Sequence, residues 1–153
     1  IAGSQKKFVK MMNAKARKLG CKNTLYTNPH GLDTKRNHST AYDVALIGRY
    51  ILRSGTTTFV KKVVRTKKYF FKTNKSKGRK LYNGDKMLYT KKRFVGIKTG
   101  TTGKAGYCFC GAFKYRGKTY ITVVMGAGTQ KWRWKNTSLL RNYVIWRVKK
   151  HCL

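Results

Sequence analysis

The chain has 153 residues, the size of one domain, and 41% of them are hydrophobic, which argues against an intrinsically disordered polypeptide. It carries 37 Lys and Arg residues and only three acids, Asp33, Asp43 and Asp85, so its formal net charge at pH 7 is +34. No apolar run approaches the ~20 residues of a membrane span. The segment that begins at Ile1 is not a secretory signal, and we interpret the chain as an internal piece or a processed product.

The excess positive charge indicates which kinds of molecule the chain could bind. Such a surface attracts polyanions such as nucleic acid, anionic lipid or acidic wall polymers. The basic residues are spread along the whole chain and do not form one tail or patch. Three explanations are open: a polyanion-binding protein, an engineered charge variant, or a sequence in which many ordinary acids have become Lys and Asn.

The first third of the chain predicts two helices joined by an ordered loop. Ser4 can cap a helix that runs to about Leu19. The stretch Asn23–Asp33 is rich in turn residues and predicts the loop. A second helix begins near Ser39 or Thr40, with a capping-box spacing from Thr40 to Asp43, and ends at Ser54-Gly55. The apolar residues at helical spacing are Phe8, Met11, Met12, Ala16 and Leu19 in the first helix, and Val44, Ile47 and Ile51 in the second.

The rest of the chain predicts antiparallel strands and a last helix. Strands are expected over Lys67–Thr73, Leu81–Thr90 (broken at Asn83-Gly84), Arg93–Lys98, Tyr107–Tyr115 and Thr119–Met125. The last helix covers roughly Asn136–Lys150, with Leu139, Tyr143 and Trp146 in one stripe beside Leu140, Val144 and Val148. The order helix, helix, strands, helix predicts an α+β fold.

Four cysteines, Cys21, Cys108, Cys110 and Cys152, permit disulfides or a metal site. Cys108 and Cys110 share a face of a predicted strand, and a zinc site with Cys152 or His151 is conceivable. The C-x-x-C spacing of common structural zinc sites is missing. We therefore interpret the cysteines as small buried hydrophobic residues and expect no metal and no cofactor.

The motif that points to chemistry is Lys98-Thr99-Gly100, at the end of a β-branched run and before a small-residue turn. It resembles the third active-site motif of serine penicillin-recognising enzymes, which use K-T-G beside S-x-x-K and S-x-N. Taken alone, the tripeptide is more typical of a β-turn that carries a solvated lysine.

Further stretches, in this order and spacing, strengthen the resemblance. They are Asn23-Thr24, Asn28-Pro29-His30-Gly31-Leu32-Asp33, Ser39-Thr40-Ala41-Tyr42-Asp43, Thr73-Asn74-Lys75, Gly96-Ile97-Lys98-Thr99-Gly100 and Lys104-Ala105-Gly106-Tyr107-Cys108. As a set they resemble the serine-type D-alanyl-D-alanine carboxypeptidases, the low-molecular-weight penicillin-binding proteins. The resemblance covers nearly the whole chain, so we interpret residues 1–153 as a single, partial catalytic domain.

The resemblance implies a β-lactamase/transpeptidase-like fold, an antiparallel sheet flanked by helices, incomplete at its N-terminal side. It implies cleavage of the terminal D-alanine from peptidoglycan stem peptides through a serine acyl-enzyme, with β-lactams as analogues, outside the cytoplasmic membrane.

It also implies roles for single residues. Lys98 would be the catalytic lysine, a fixed charge near the substrate carboxylate and the nucleophile. Thr99 would hydrogen-bond that carboxylate, and Gly100 would let the peptide lie against the strand. The backbone N–H of Thr101 would be an oxyanion donor. His30 matches a loop position that we interpret as structural.

The nucleophile is missing from its expected place. S-x-x-K and S-x-N should both lie upstream of Ile1. The S-x-x-K pattern is matched by Ser4-Gln5-Lys6-Lys7, which we interpret as a helix cap. The Y-x-N variant is resembled by Tyr26-Thr27-Asn28, which we interpret as part of the loop. Because a nucleophile needs a base within hydrogen-bond reach, we expect the isolated chain to be inactive.

A second hypothesis is a cationic nucleic-acid-binding protein on the same fold. Aromatic residues alternate with cations in Tyr69-Phe70-Phe71, Lys131-Trp132-Arg133-Trp134 and Trp146-Arg147, a pattern used for base stacking and phosphate neutralisation. The opposing interpretation is that these aromatics are core and the cations a solvated face. A third hypothesis is a charge-shifted relative that keeps the fold without the activity.

The charge also predicts a salt-dependent stability. Raising NaCl from about 0.02 M to about 0.5 M shortens the screening length several-fold. We therefore expect the melting temperature of the chain to climb by several degrees as self-repulsion is screened, in a thermal melt followed by circular dichroism. A melting temperature independent of salt would remove the support for a charge-shifted fold.

Overall fold

The computed structural model describes residues 1–53, 58–74, 76–91 and 93–150. Its elements in chain order are α1 (Gln5–Lys18), α2 (Ala41–Arg53), α3 (Thr58–Arg65), β1 (Lys68–Thr73), β2 (Ser76–Tyr82), α4 (Met87–Thr90), β3 (Phe94–Thr102), β4 (Gly106–Tyr115), β5 (Lys118–Ala127) and α5 (Gln130–Lys149). None of the helices in these described ranges is long and apolar enough to cross a bilayer.

The central sheet has three antiparallel strands in the order β3-β4-β5, and β1 and β2 form a separate hairpin. Lys98 of β3 lies opposite Cys110 of β4, and Tyr115 lies opposite Lys118 of β5. The two residues between β4 and β5, Arg116 and Gly117, have φ of 45° and 74°. Two consecutive positive φ values are typical of the type I′ turn that matches strand twist.

The middle strand β4 is buried on both of its faces. Phe109 and Phe113 point to one face, where they pack with Trp134 of α5. Cys110 and Ala112 point to the other face, against side chains from α2. Because side chains alternate along a strand, this single strand supplies both cores. The expected antiparallel sheet with helices on both faces is confirmed.

The N-terminal segments are tied together by the carboxylate of Asp43, which is buried in the first turn of α2. Its Oδ2 accepts hydrogen bonds from the backbone N–H of Asn23 at 2.8 Å and from the Thr24 hydroxyl at 2.7 Å. The Thr24 hydroxyl is the main reason that the pKa of Asp43 lies below its ordinary value. The backbone N–H of Asp43 itself donates to the Thr40 hydroxyl at 3.1 Å, which is half of the predicted capping box.

Gly96 allows α3 to approach the sheet closely. It has φ of 80°, and a Cβ built on it would lie 2.1 Å from the carbonyl oxygen of Val64. The strand register shifts between Phe94 and Gly96, which marks a bulge. The bulge and the missing side chain together seat the C-terminal end of α3 against the strand that carries Lys98.

Several predicted elements are confirmed. The Ser4 hydroxyl accepts a hydrogen bond from the backbone N–H of Lys7 at 3.2 Å and caps α1. The first predicted strand is β1, and the strands predicted on either side of the small-residue turn are β3 and β4. The Ser54-Gly55 end that was predicted for the second helix lies outside the described residues.

Other predictions were wrong. The stretch Leu81–Thr90 is not one extended piece, because β1 pairs with Ser76–Tyr82 and the segment Met87–Thr90 is helical. Helix α3 was not predicted, because β-branched residues are more typical of strands and several of its residues are β-branched. Helix α5 begins at Gln130, six residues earlier than expected, because the Thr129 hydroxyl caps it by accepting from Trp132 N–H. The strand does not end at Lys98-Thr99-Gly100 but continues to Thr102.

The apolar stripes differ from the expected burial. In α1 only Ala16 is buried, and Met11 is exposed. In α5 the stripe of Leu139, Tyr143 and Trp146 is exposed, while Val148 is buried.

The close approach at Gly96 gives a test of the fold. We expect Gly96→Ala to lower the free energy of unfolding by at least about 2 kcal/mol, because the new Cβ meets a backbone carbonyl and φ is positive. The measurement is urea unfolding followed by circular dichroism. Gly128→Ala is the matched control, since nothing lies within 4 Å of a Cβ there. Equal stability of the two variants would contradict the packing described.

Candidate active site

The motif residues lie on a sheet edge beside a large cavity. Strand β3 pairs with β4 on one side, and no other described strand pairs with its free edge. The cavity has a volume of about 690 Å³ and is bounded by the loop before α2, by β3 and by the start of α5. The lining residues that carry its chemistry are His30, Gly84, Lys98, Thr99, Gly100, Thr101, Cys108 and Arg133.

The four motif residues predicted from the sequence all line this cavity. Lys98, Gly100 and Thr101 are exposed and Thr99 is half-buried. The ammonium of Lys98 donates to the backbone carbonyl of Thr99. A Cβ on Gly100 would come no closer than 3.9 Å to any atom, the Cβ of Cys108. The chain's own packing therefore does not require glycine at this position.

The loop before α2 is latched onto the motif strand by Asp33. Its two carboxylate oxygens accept from the Thr102 hydroxyl at 2.6 Å and from the backbone N–H of Lys104 at 3.1 Å. The Thr102 hydroxyl is the first cause of the lowered pKa of Asp33. Buried Asn28 shapes the same loop, since its side chain bonds the backbone of Gly31 and Leu32. His30 Nδ1 accepts from the backbone N–H of Leu32 at 3.2 Å, consistent with a structural role.

The site contains a second cation that the sequence analysis did not assign to it. Arg133 is 4% exposed, and its Nη1 donates to the Thr101 hydroxyl at 3.1 Å and to the Gly100 carbonyl at 3.3 Å. Its guanidinium lies over the rings of Trp134 and Tyr107, 4.4 and 5.4 Å from the ring centroids. Burial lowers the pKa of Arg133, while Tyr107, Cys108 and Asp85 oppose that shift.

Arg133 was grouped with Trp132 and Trp134 as a possible nucleic-acid cluster, and the structure divides that cluster. Trp132 is 49% exposed, whereas Trp134 is buried with its ring centroid 5.1 Å from that of Phe109. The signal that could have found Arg133 is Thr129, which begins the helix early enough to turn Arg133 inward.

Asp85 is a buried acid close to the site, next to cavity residue Gly84. Its Oδ1 accepts from the backbone N–H of Met87 at 2.8 Å. Its Oδ2 and the Nε of Arg133 are buried polar atoms without a hydrogen-bond partner. Burial raises the pKa of Asp85 to about 6, although the Met87 and Leu88 amides and the charge of Arg133 pull it down.

The described residues offer neither a metal site nor an activated hydroxyl in the expected motifs. No three His, Cys, Asp or Glu side chains within them could hold a metal ion. The Ser4 hydroxyl is occupied as the cap of α1. The side chain of Asn28, in the Y-x-N-like stretch, bonds its own loop. Cys21 and Cys110 are buried free thiols, and burial raises the pKa of Cys110 to about 12.

Comparison with known sequences identifies relatives that match most or all of this chain. Residues 1–129 match the family model described as D-alanyl-D-alanine carboxypeptidase (peptidase S11). The carboxypeptidase DacF of Bacillus subtilis is 34% identical over 153 residues, 100% of this chain and 39% of DacF. DacC of Escherichia coli is 33% identical over 92% of this chain and 34% of DacC. The chain thus spans less than two-fifths of the length of these relatives.

Solved structures of penicillin-binding proteins and of a DD-transpeptidase are similar to this chain in fold. A mutant of the Streptomyces K15 DD-transpeptidase superposes with a TM-score of 0.81 at 29% identity, over 91% of this chain and 54% of that protein. Penicillin-binding protein D2 of Listeria monocytogenes, solved with cefotaxime bound, gives 0.75 at 33% identity, over 88% and 53%. Penicillin-binding protein 6B of Escherichia coli gives 0.78 at 35% identity, over 92% and 43%.

The buried carboxyl of Asp85 predicts a pH-dependent stability. The folded state keeps its proton up to about pH 6, whereas an ordinary Asp releases it near 3.8. Stability from this group is therefore greatest below pH 4 and is lost as pH rises to 6. We expect Asp85→Asn to raise the free energy of unfolding at pH 7.5 by about 1–3 kcal/mol and to change it little at pH 4.

Asp33→Asn is the control of opposite sign. Because hydrogen bonds lower the pKa of Asp33, its contribution is present at pH 7.5 and is lost as pH falls. Urea unfolding at both pH values measures both variants. A destabilised Asp85→Asn protein at pH 7.5 would show that the ionised carboxylate is compensated in the fold.

Proposed function

The chain belongs to the D-alanyl-D-alanine carboxypeptidase family, and we propose that it forms the carboxylate-binding part of a serine-type D-Ala-D-Ala carboxypeptidase that acts on peptidoglycan stem peptides. One observation carries the proposal: Lys98, Thr99, Gly100, Thr101 and Arg133 line a single cavity at an open sheet edge.

The charges of the cavity fit a peptide that ends in a carboxylate. Lys98 and Arg133 line it, and no Asp or Glu is among its described lining residues. Arg133 is held between aromatic rings and bonded to the strand, so little entropy is lost when it meets an anion. The Thr99 hydroxyl, on the same wall, donates a further hydrogen bond to the carboxylate.

The open edge of β3 fits the peptide backbone. An extended peptide can add to an exposed strand edge through main-chain hydrogen bonds. The vacant space at Gly100 lets such a peptide lie against the strand without meeting a side chain. The scissile carbonyl then lies near Thr101, whose backbone N–H stabilises the developing oxyanion.

The acyl-enzyme requires a serine hydroxyl and a base that motifs S-x-x-K and S-x-N supply in this class. The expected place of both motifs lies upstream of Ile1, outside these 153 residues. Lys98 therefore acts here as a fixed charge beside the nucleophile position, and the 153-residue chain alone does not turn over substrate. The natural setting is the cell envelope, with β-lactams as ligands of the same cavity.

The net charge of +34 supports a second, weaker activity, which is nonspecific attraction of polyanions. This attraction follows from charge alone and vanishes as salt rises toward about 0.2 M.

The first experiment measures acylation. The purified chain is incubated with a penicillin, and its intact mass is recorded. We expect an unmodified mass, because no serine is among the described residues that line the cavity. An adduct of one drug mass mapped to a serine, with Ser4 tested first, would overturn the assignment of an incomplete site.

The second experiment measures binding without chemistry. A peptide that ends in D-Ala-D-Ala is titrated into the chain while backbone amide shifts of Gly100 and Thr101 are followed by NMR. We expect Lys98→Met and Thr99→Val each to weaken binding by about fivefold or more. Lys118→Met, at the exposed start of β5, removes the same charge and should change binding less than twofold. Equal losses for Lys98→Met and Lys118→Met would show that only overall charge attracts the peptide.

A further inference from the structure

A second concave surface lies around α3 and the β1–β2 hairpin. It consists of two adjoining depressions, a cationic pocket of about 360 Å³ and an apolar groove of about 640 Å³. None of their lining residues lines the cavity at Lys98. A ligand of this second surface is therefore independent of the carboxypeptidase function.

The cationic pocket gathers five positive charges on a small apolar floor. They are Arg65, Lys67, Lys91, Arg93 and Lys114, and no described acid lines the pocket. The backbone N–H of Lys114 donates to the carbonyl of Arg93 at 2.9 Å, which joins two of the contributing segments. This pocket fits a compact anion such as a phosphate group.

The apolar groove lies between one face of the hairpin and α3. Tyr69 and Leu81 are directly opposite each other in the hairpin, and Phe71 lies on the same face. Phe59 and Val63 of α3 form the other wall. Phe59 is 76% exposed and Tyr69 is 62% exposed. Apolar side chains of this size, left exposed together, mark an interaction surface.

Lys67 belongs to both depressions and connects them. Its carbonyl accepts from the backbone N–H of Asn83 at 2.9 Å and from the Tyr89 hydroxyl. The Asn83 side chain in turn donates to the carbonyls of Val64 and Thr66. The junction between helix, hairpin and α4 is therefore tied by hydrogen bonds, and the two depressions keep a fixed relation.

The pairing of these two depressions selects the chemistry of the occupant. We propose that the cationic pocket and the apolar groove together bind an anionic phospholipid at a membrane surface, with its phosphate among the five cations and an acyl chain in the groove. A nucleic acid would satisfy the cations and could stack on the aromatic rings of the groove. The polar edges of its bases would, however, find no hydrogen-bond partner on Phe59, Val63 and Leu81, whereas an acyl chain needs none. Tyr69 and Tyr82 are residues that favour the water–lipid interface.

The test is binding of the full 153-residue chain to vesicles by co-sedimentation, at about 0.15 M NaCl, where weak surface electrostatics are screened. Vesicles of phosphatidylglycerol mixed with phosphatidylcholine are compared with phosphatidylcholine alone. We expect binding to the mixed vesicles only. The double variant Phe59→Ser/Tyr69→Ser should weaken this binding about tenfold.

Two matched controls distinguish binding at this site from binding through net charge or through exposed apolar side chains elsewhere. Tyr42→Ser/Leu139→Ser removes two side chains of similar exposure elsewhere, at 72% and 56%. Arg65→Gln/Lys91→Gln/Lys114→Gln removes three pocket cations, and Lys6→Gln/Lys7→Gln/Lys10→Gln removes three from exposed positions of α1. We expect about a tenfold loss for the pocket variant and less than a twofold loss for each control. Circular dichroism confirms that every variant is folded.

Four outcomes would overturn the proposal. They are an absence of vesicle binding, equal losses in the pocket and control variants, an equally strong interaction with soluble glycerol phosphate, and a groove that binds a single-stranded oligonucleotide instead. The last two would assign the site to a free phosphate and to a nucleic acid, respectively.

Discussion

The structure depends on the alternation of side chains along β4. Phe109 and Phe113 pack under α5, while Cys110 and Ala112 pack under α2, so one strand holds helices on both faces of the sheet. The two faces differ in side-chain size. On the α2 side, the side chains of Cys110 and Ala112 are small, so Gly48 of α2 packs closely against the strand. A Cβ built on Gly48 would lie 3.0 Å from the Cys110 sulfur. On the other side, the ring of Phe109 packs against Trp134 of α5, and the guanidinium of Arg133 lies over that same Trp134 ring.

The three acids of the chain each hold a different junction. Asp43 joins the segment after α1 to α2, Asp33 joins the loop to the β3–β4 turn, and Asp85 starts α4 beside the cavity. All three accept a backbone N–H, a bond that lysine and arginine side chains cannot make because they have no acceptor. In a chain with 37 cations, each of the three acids thus stands at a position where its side chain accepts a hydrogen bond from the backbone.

Much of the fold could be predicted from the sequence, because its signals are local. The Ser4 cap, the tight turn at Arg116-Gly117 and the strands around the motif each follow from neighbouring residues. The structure places the motif residues Lys98 to Thr101 on one sheet edge beside the cavity, and the roles given to them stay predictions. What the sequence did not reveal depends on distant contacts. The helix at Thr58–Arg65 packs closely against Gly96, and Trp134 packs the helix that carries Arg133 against Phe109.

The free edge of β3 has a consequence for the behaviour of many molecules together. A strand edge that can accept a peptide can equally accept the edge of another copy, which is the first step of β-sheet aggregation. Mutual repulsion between molecules that each carry a charge of +34 keeps such edges apart. Salt then has two opposed effects. It screens the repulsion between charges within one molecule, which stabilises the fold, and it also screens the repulsion between two molecules, which allows their strand edges to meet. The colloidal stability of this protein and its conformational stability therefore have optima at different ionic strengths.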